Sequence, residues 1–264
     1  MGPSQWPSGT APKRRVRTAD NREEDPSFAT ARGLAAVHRN LRLSVVIPCY
    51  NEADGIRAVL AALPSVVDEV VVVDNRSTDG TGDVARSLGA RVVREERPGY
   101  GAAYKAGLRV ATGDVIITLD GDGSYPAEEI PRLVDVLEDR PCDFISASRF
   151  PLQTPEAMPP LNRFGNFVLT LVTRLLYGYA VADSQSGMWV FRRPVLGKLH
   201  LTSNGMPFSE EIKIEALAHR EVRFHEDRIP YRERIGEVKL RRWREGLENL
   251  LFLVRRRFGR RASG

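Results

Sequence analysis

Between residues 43 and 148, short apolar runs rich in β-branched residues alternate with segments of helical spacing, and this alternation constrains the fold more than any other feature. The runs at 43–47, 69–73, 91–94, 114–119 and 143–148 predict strands. The segments at 53–63, 80–88, 101–111 and 127–138 predict helices. Connections of a few residues between such elements favour parallel βαβ units, hence an α/β, Rossmann-like three-layer sandwich with a mainly parallel central sheet. Beyond Arg149 the alternation lapses into a loop carrying Pro151, Pro155, Pro159 and Pro160, and an amphipathic helix is expected over 162–177. No internal repeat is visible. A chain of 264 residues suits one large α/β domain with appendages.

The flanks differ from this body. Residues 1–40 are rich in Pro, Ser, Thr, Arg and Glu without apolar period, and read as a disordered basic extension with a short helix near 28–38. The domain is expected over 41–240, and 241–264 reads as an amphipathic basic helix and tail. Residues 1–42 carry eight Lys/Arg against four Asp/Glu, and residues 228–264 carry twelve against four. The middle carries nineteen against twenty-six, so an acidic body has two basic ends. Such ends suit a polyanion or an anionic membrane, or else merely a solvated tail. Cys49 and Cys142 are too few for a disulfide framework, and with no signal-peptide pattern a reducing cytoplasm is expected. No uncharged apolar stretch reaches the length of a bilayer span.

The residues with the most chemistry follow the strand at 114–119, in Asp120-Gly-Asp122-Gly-Ser-Tyr-Pro126. Open α/β sheets bind ligands at the carboxyl ends of their strands. Two carboxylates on a glycine-bearing loop there suit Mg2+ or Mn2+, which take one or two protein carboxylates and complete their shell with substrate phosphates. The competing reading is a solvated turn. Asp74 ends the strand at 69–73 and points toward the same crevice, while Ser77, Thr78 and Asp79 read as a cap for the next helix. Pro48, Tyr50, Asn51 and Glu52 end the first strand in a corresponding place, with a ring available for a base. The segment 97–105 lacks the third glycine of a dinucleotide fingerprint and does not open the first βαβ unit, which excludes a dehydrogenase.

Taken in order, SVVIPCYNE (44–52), VVVDNRSTDGT (71–81), RPGYGAAYKAG (97–107) and TLDGDGSYP (118–126) resemble glycosyltransferase family 2, and within it the dolichyl-phosphate mannosyltransferase and polyprenyl-phosphate glycosyltransferase group. The resemblance covers about residues 43–245, with Ser148-Arg149-Phe150, NRFGN (162–166), DSQSG (183–187) and RIGEVKL (234–240) similar to acceptor-side elements. It implies a GT-A fold, a GDP- or UDP-sugar donor, Mg2+ or Mn2+, and inversion at the anomeric carbon. Carried onto this chain, Asp120 and Asp122 hold the metal, with Ser124 a further candidate where the group commonly has Gln. Pro48, Tyr50, Asn51, Glu52, Asp74, Lys105 and Asp120 face the nucleotide sugar. Arg149, Arg163, Arg234 and Lys239 face the acceptor phosphate, with Arg234 also assisting catalysis. The paired acids usual after the second strand appear here as Asp74-Asn75.

A lipid phosphate is largely ionised near neutral pH and needs no general base, and clamping arginines orient it. The expected reaction is therefore transfer of a sugar to a polyprenyl phosphate, by an enzyme peripheral to the cytoplasmic membrane face. A relative acting on a hydroxyl acceptor in cell-envelope glycan or natural-product biosynthesis is the alternative and would need a carboxylate base, for which Glu210 and Glu211 are the candidates. A basic nucleic-acid-binding adaptor is the non-enzymatic rival, disfavoured by the acidic body and the lack of a recognition motif, so no nucleic acid is expected. The stretch 243–258 has an apolar side and a basic end, suited either to an anionic membrane surface or to packing on the domain. His200, His219 and His225 have no metal spacing and read as structural.

Overall fold

The computed structural model of the protein describes residues 17–18, 41–236 and 242–259. Strand and helix alternate as β2 (Leu43–Cys49), α1 (Ala53–Ala62), β3 (Glu69–Asp74), α2 (Thr81–Ser87), β4 (Arg91–Arg94), α3 (Tyr100–Val110), β5 (Val115–Thr118), α4 (Ile130–Asp139) and β6 (Phe144–Ser148). There follow α5 (Pro160–Tyr177), β7 (Trp189–Arg192), α6 (Phe208–Ala218), β8 (Phe224–Arg228) and α7 (Arg242–Phe258), while Arg17–Thr18 form a two-residue β1. The described strands make one sheet in the order β1-β8-β6-β7-β5-β2-β3-β4. β7 runs antiparallel to both β5 and β6, and the other neighbours pair in parallel.

Side chains alternate across the pleat, so each strand feeds two cores. Val45, Ile47, Val72, Ile117 and Ile145 pack on one face with Ile56 of α1, Ala85 of α2 and Leu133 of α4. Val46, Val71, Val73, Ile116 and Phe191 pack on the other with Tyr104 of α3 and Phe208 and Ile212 of α6. Strands covered on both sides have near-continuous apolar sequence, which is why β2, β3 and β5 were legible from their residues. α3 lies very close to the sheet at Gly107, where a side chain would strike Val46 and Val73.

Three sequence expectations change. The helix expected over 127–138 splits into a 3-10 turn, Ala127–Glu129, and α4, with Pro131 in its first turn where a missing N–H costs nothing. β7 and β8 were not foreseen, because β7 has four residues and β8 reads Phe-His-Glu-Asp-Arg, whose acids look solvated yet are buried. α7 packs on the domain through Leu253, which meets Leu169 of α5 and Ile214 of α6, and Tyr177 Oη donates to the Leu253 carbonyl at 2.9 Å. The helix expected near 28–38 and the disorder expected over 1–40 lie outside the described residues, except that Arg17 and Thr18 pair with β8.

Candidate active site

The carboxyl ends of β2, β3 and β5 open on a cleft of about 720 Å³. Pro48, Tyr50, Glu52, Asp120, Asp122 and Arg234 line it together, joined by Asn75, Arg76 and Tyr100 and by Arg244, Glu245 and Glu248 from the start of α7. Residues separated by nearly two hundred positions thus meet in one crevice, which is where open α/β sheets hold ligands.

The loops that frame it are laced through side chains. The Asn51 and Glu52 amides donate to Ser77 Oγ and Thr81 Oγ1, the Thr78 amide donates to Asn51 Oδ1, and the Ala53 amide donates to Asp79 Oδ2. Asn51 itself sits at φ 55, a conformation asparagine tolerates better than most residues. Of the cap expected from Ser77, Thr78 and Asp79, the bond from Asp79 to the first amide of α2 is present, while Ser77 and Thr78 serve the first loop instead. Gly80 is the N-cap of α2, while Asp79 accepts from the Thr81 amide and stabilises the start of α1.

Asp120 and Asp122 occupy different environments. Asp120 is half-buried at the cleft wall, with Tyr100 Oη donating to Oδ1 at 3.1 Å and Tyr104 Oη 3.3 Å from the same oxygen. Burial and then the neighbouring Asp122 charge push its carboxyl up to about 7, against the pull of the tyrosines and Arg149. Asp122 is fixed by the Ser124 amide at 3.0 Å and hydroxyl at 2.6 Å, both reaching Oδ1, and its Oδ2 lies 3.8 Å from Arg234. Ser124 is thus a buried donor to Asp122. Gly121 between the acids is required by packing, since a Cβ there would lie 2.5 Å from Cys49 Sγ.

Arg234 bridges the first loop and the acidic one: it donates to Glu52 Oε1 at 2.8 Å, and the following Ile235 amide donates to the Asp122 carbonyl at 2.8 Å. The donor set fits a hard divalent cation. Two carboxylates line one cleft with no third His, Cys, Asp or Glu making a closed site among the described residues, which leaves room for phosphate oxygens. A cation there would relieve the burial and the neighbouring negative charge that raise Asp120.

Other expected site residues lie elsewhere. Asp74 accepts from the Ser77 amide and pairs with Arg94 at 2.7 Å, and lines a separate depression of about 310 Å³ with Thr78, Gly82 and Arg86. Lys105 donates to the Thr202 carbonyl at 3.0 Å and Asn204 Oδ1 at 2.6 Å, so it ties down the loop before α6. Arg149 is buried against Asp183 and Asn166. Arg163 sits half-buried in the first turn of α5, and Lys239 lies outside the described residues. Gly99 and Gly101 admit the backbone at 203–205; a Cβ on Gly101 would lie 2.5 Å from the Ser203 carbonyl oxygen. Tyr100 and Arg76 were not singled out in the sequence, because only the packing of distant segments brings them to the cleft.

The two candidate bases are committed. Glu211 accepts from the Thr202 and Ser203 amides, the Thr202 hydroxyl and Arg256. Glu210 accepts from Gln185, and burial pushes its carboxyl well above the usual range. Neither lines the cleft. His225 lies 3.3 Å from Arg140 and 3.9 Å from Asp227, away from the acidic pair.

Both the sequence and the fold have known counterparts. The family model described as Glycosyl transferase family 2 matches residues 44–199. A dolichyl-phosphate hexose transferase of Haloferax volcanii is 39% identical over 201 residues, covering 75% of this chain and 86% of the relative. An undecaprenyl-phosphate mannosyltransferase of Micrococcus luteus is 31% identical over 216 residues, covering 76% of this chain and 88% of that one. Among solved structures, the glucosyl-3-phosphoglycerate synthase of Mycobacterium tuberculosis in complex with Mn2+, uridine diphosphate and its product superposes with a TM-score of 0.71. It is 21% identical and covers 94% of this chain and 90% of that one, a likeness of fold.

Proposed function

This chain belongs to glycosyltransferase family 2, and from that premise we propose that it transfers one sugar, with inversion, from a GDP- or UDP-sugar to a polyprenyl phosphate, working peripherally at the cytoplasmic membrane face. The observation that carries the reading is the meeting of Asp120, Asp122 and Arg234 in a cleft framed by Tyr50 and Glu52. Relatives named for dolichyl-phosphate and undecaprenyl-phosphate acceptors support the acceptor class. No helix among the described residues is long and apolar enough to cross a membrane.

Asp120 and Asp122 would hold Mg2+ or Mn2+, which supplies positive charge to the departing diphosphate. The chain's own groups do the rest. Tyr50 and Arg76 border the end of the cleft suited to a nucleoside, and Tyr50 offers an exposed ring for a base. Arg234 stands beside Asp122 and donates to a diphosphate oxygen once it turns from Glu52. Arg149, fixed in the core, contributes its field at Asp120, while Arg163 and Lys239 remain candidates for the acceptor phosphate. An ionised phosphate attacks without a base. That agrees with Glu210 and Glu211 both being engaged away from the cleft, whereas a hydroxyl acceptor would require one of them.

Radiolabelled nucleotide sugars incubated with polyprenyl phosphate and Mg2+ or Mn2+ test the reading. Label is expected in the organic phase; label found solely on water-soluble hydroxyl acceptors would overturn the acceptor assignment.

A further inference from the structure

Twelve large apolar side chains are exposed among the described residues, and nine of them lie on just two helices. On α5 these are Leu161, Phe164, Phe167, Leu171 and Leu175, with Phe164 64%, Phe167 63% and Leu175 75% exposed. On α7 they are Leu247, Leu251, Val254 and Phe258, with Leu247 56% and Phe258 57% exposed. Each set recurs at intervals of three and four residues, so each forms one stripe along its helix. The opposite faces are spent on packing: Leu169 and Thr173 of α5 and Asn249 and Leu253 of α7 are buried.

The two helices pack side by side. Leu250 and Phe252 of α7 join Val172 and Leu176 of α5 around Leu253, and Arg257 Nε donates to the Leu176 carbonyl at 2.7 Å. Val172 and Leu176 stand between the exposed stripe of α5 and α7, and Leu250 stands between the exposed stripe of α7 and α5. The stripes therefore adjoin across the seam and form one apolar face. A contiguous face of this kind marks an interaction site.

Charge selects the occupant. α5 carries two arginines and no acid along its length, and α7 carries five arginines against two glutamates. Arg174 lies exposed on α5 and Arg255 and Arg257 on α7, near the apolar stripes. A second copy would set these arginines against their own kind, whereas anionic lipid headgroups match a basic border around an apolar centre.

We propose that α5 and α7 together form a docking face that seats the protein on an anionic bilayer, with the phenylalanines of α5 entering the acyl boundary. α7 then carries the cleft with it, because Arg244, Glu245 and Glu248 at its start line the cavity that holds Asp120 and Asp122. The proposal deepens the acceptor assignment above, since a lipid phosphate is reached only from such a surface. The α7 half was foreseeable as an amphipathic basic segment. The α5 half depends on which side of that helix the fold covers.

Sedimentation of the full chain with vesicles of phosphatidylglycerol and phosphatidylcholine, beside phosphatidylcholine alone, provides the test. Salt-sensitive binding to the anionic vesicles is expected, with Phe167→Ser/Leu171→Ser and Leu247→Ser/Leu251→Ser each weakening it roughly tenfold or more. These side chains are exposed, so the variants are expected to fold, and their transfer to a short water-soluble prenyl phosphate should equal that of the wild type. That activity separates the docking face from the acceptor assignment: its absence in the wild type counts against the acceptor, not the face. A Phe167→Trp variant gives a second readout, a blue shift in emission on adding anionic vesicles. Wild-type protein that stays in the supernatant, α5 variants that bind as tightly as wild type, or a dimer whose dissociation is the sole effect of the substitutions would each overturn the proposal.

Discussion

The guanidinium of Arg149 donates to both carboxylate oxygens of Asp183, at 2.7 Å to Oδ2 and 2.9 Å to Oδ1. Asn166 extends the pair, accepting from Arg149 at 3.0 Å and donating to Asp183 at 3.3 Å. The Arg149 guanidinium also lies 5.3 Å from the centre of the Tyr231 ring. An arginine that the family resemblance assigns to an anionic substrate is thereby paired with a side chain of its own chain. Burial alone would raise the Asp183 carboxyl, but Arg149 overrides it and holds the group at about 2. The pair joins the end of β6 to α5 and to the loop before β7.

Breaking this pair should cost stability before it costs chemistry. Arg149→Met leaves a buried carboxylate without its cation, and Asp183→Asn strands the guanidinium, each at about 3–5 kcal/mol. The double variant Arg149→Met/Asp183→Leu should lose less than either single change. Urea unfolding followed by circular dichroism reads these differences, and additive losses would contradict the pairing.

The same pair sets an acid limit. The folded value for Asp183, about 2, lies below its ordinary 3.8, so its contribution is present above about pH 4 and fades as pH falls toward 2. That contribution is about 2 kcal/mol. Stability of the wild type should therefore fall more steeply over this window than that of Asp183→Asn, which has no carboxyl to protonate.

The acidic pair is expected to be indispensable. Asp120→Asn and Asp122→Asn should each reduce turnover about a hundredfold or more, since the charge placed against the departing diphosphate is lost. Chelation should abolish activity in the wild type, and Mg2+ or Mn2+ should restore it. Undiminished turnover in the folded double variant would remove the basis of the proposed reaction.

Tyr100 is expected to act through Asp120. Tyr100→Phe keeps the ring and its edge contact with Tyr104 but removes the hydroxyl that donates to the carboxylate. Apparent metal affinity should weaken by about tenfold, as when an outer-shell donor is removed from a metal site. Saturating metal should recover most of the turnover, a recovery not expected for Asp120→Asn.

Gly121 has a steric role. Gly121→Ala places a methyl group against Cys49 Sγ, costing about 1–3 kcal/mol as overpacking and displacing the flanking acids. Cys49→Ala in the same chain removes the obstructing sulfur and should restore both melting temperature and activity in part.

How much could be read in advance follows from the kind of signal each feature leaves. β2, β3 and β5 announce themselves because strands covered on both faces must be apolar throughout. β8 does not, since its Glu226 is buried by bonding to the Ala182 and Asp183 amides, partners that no local pattern reveals. The place of Asp120 and Asp122 in the cleft was legible because both acids stand on one short loop at the end of an apolar strand. The partners of Lys105 and Asp74 were not legible, because a charged side chain near a strand end serves a loop or an ion pair as readily as a substrate.

By itself the sequence determined the layered α/β architecture, the glycosyltransferase family and the acidic loop after β5, since periodicity, composition and adjacent motifs are local properties of the chain. Tertiary structure alone decided that Arg234 reaches Glu52 and Asp122 while Arg149 turns inward. It also decided that the apolar sides of α5 and α7 become one exposed face. These outcomes depend on which distant segments compete for a partner, and that competition is resolved only when the chain is packed.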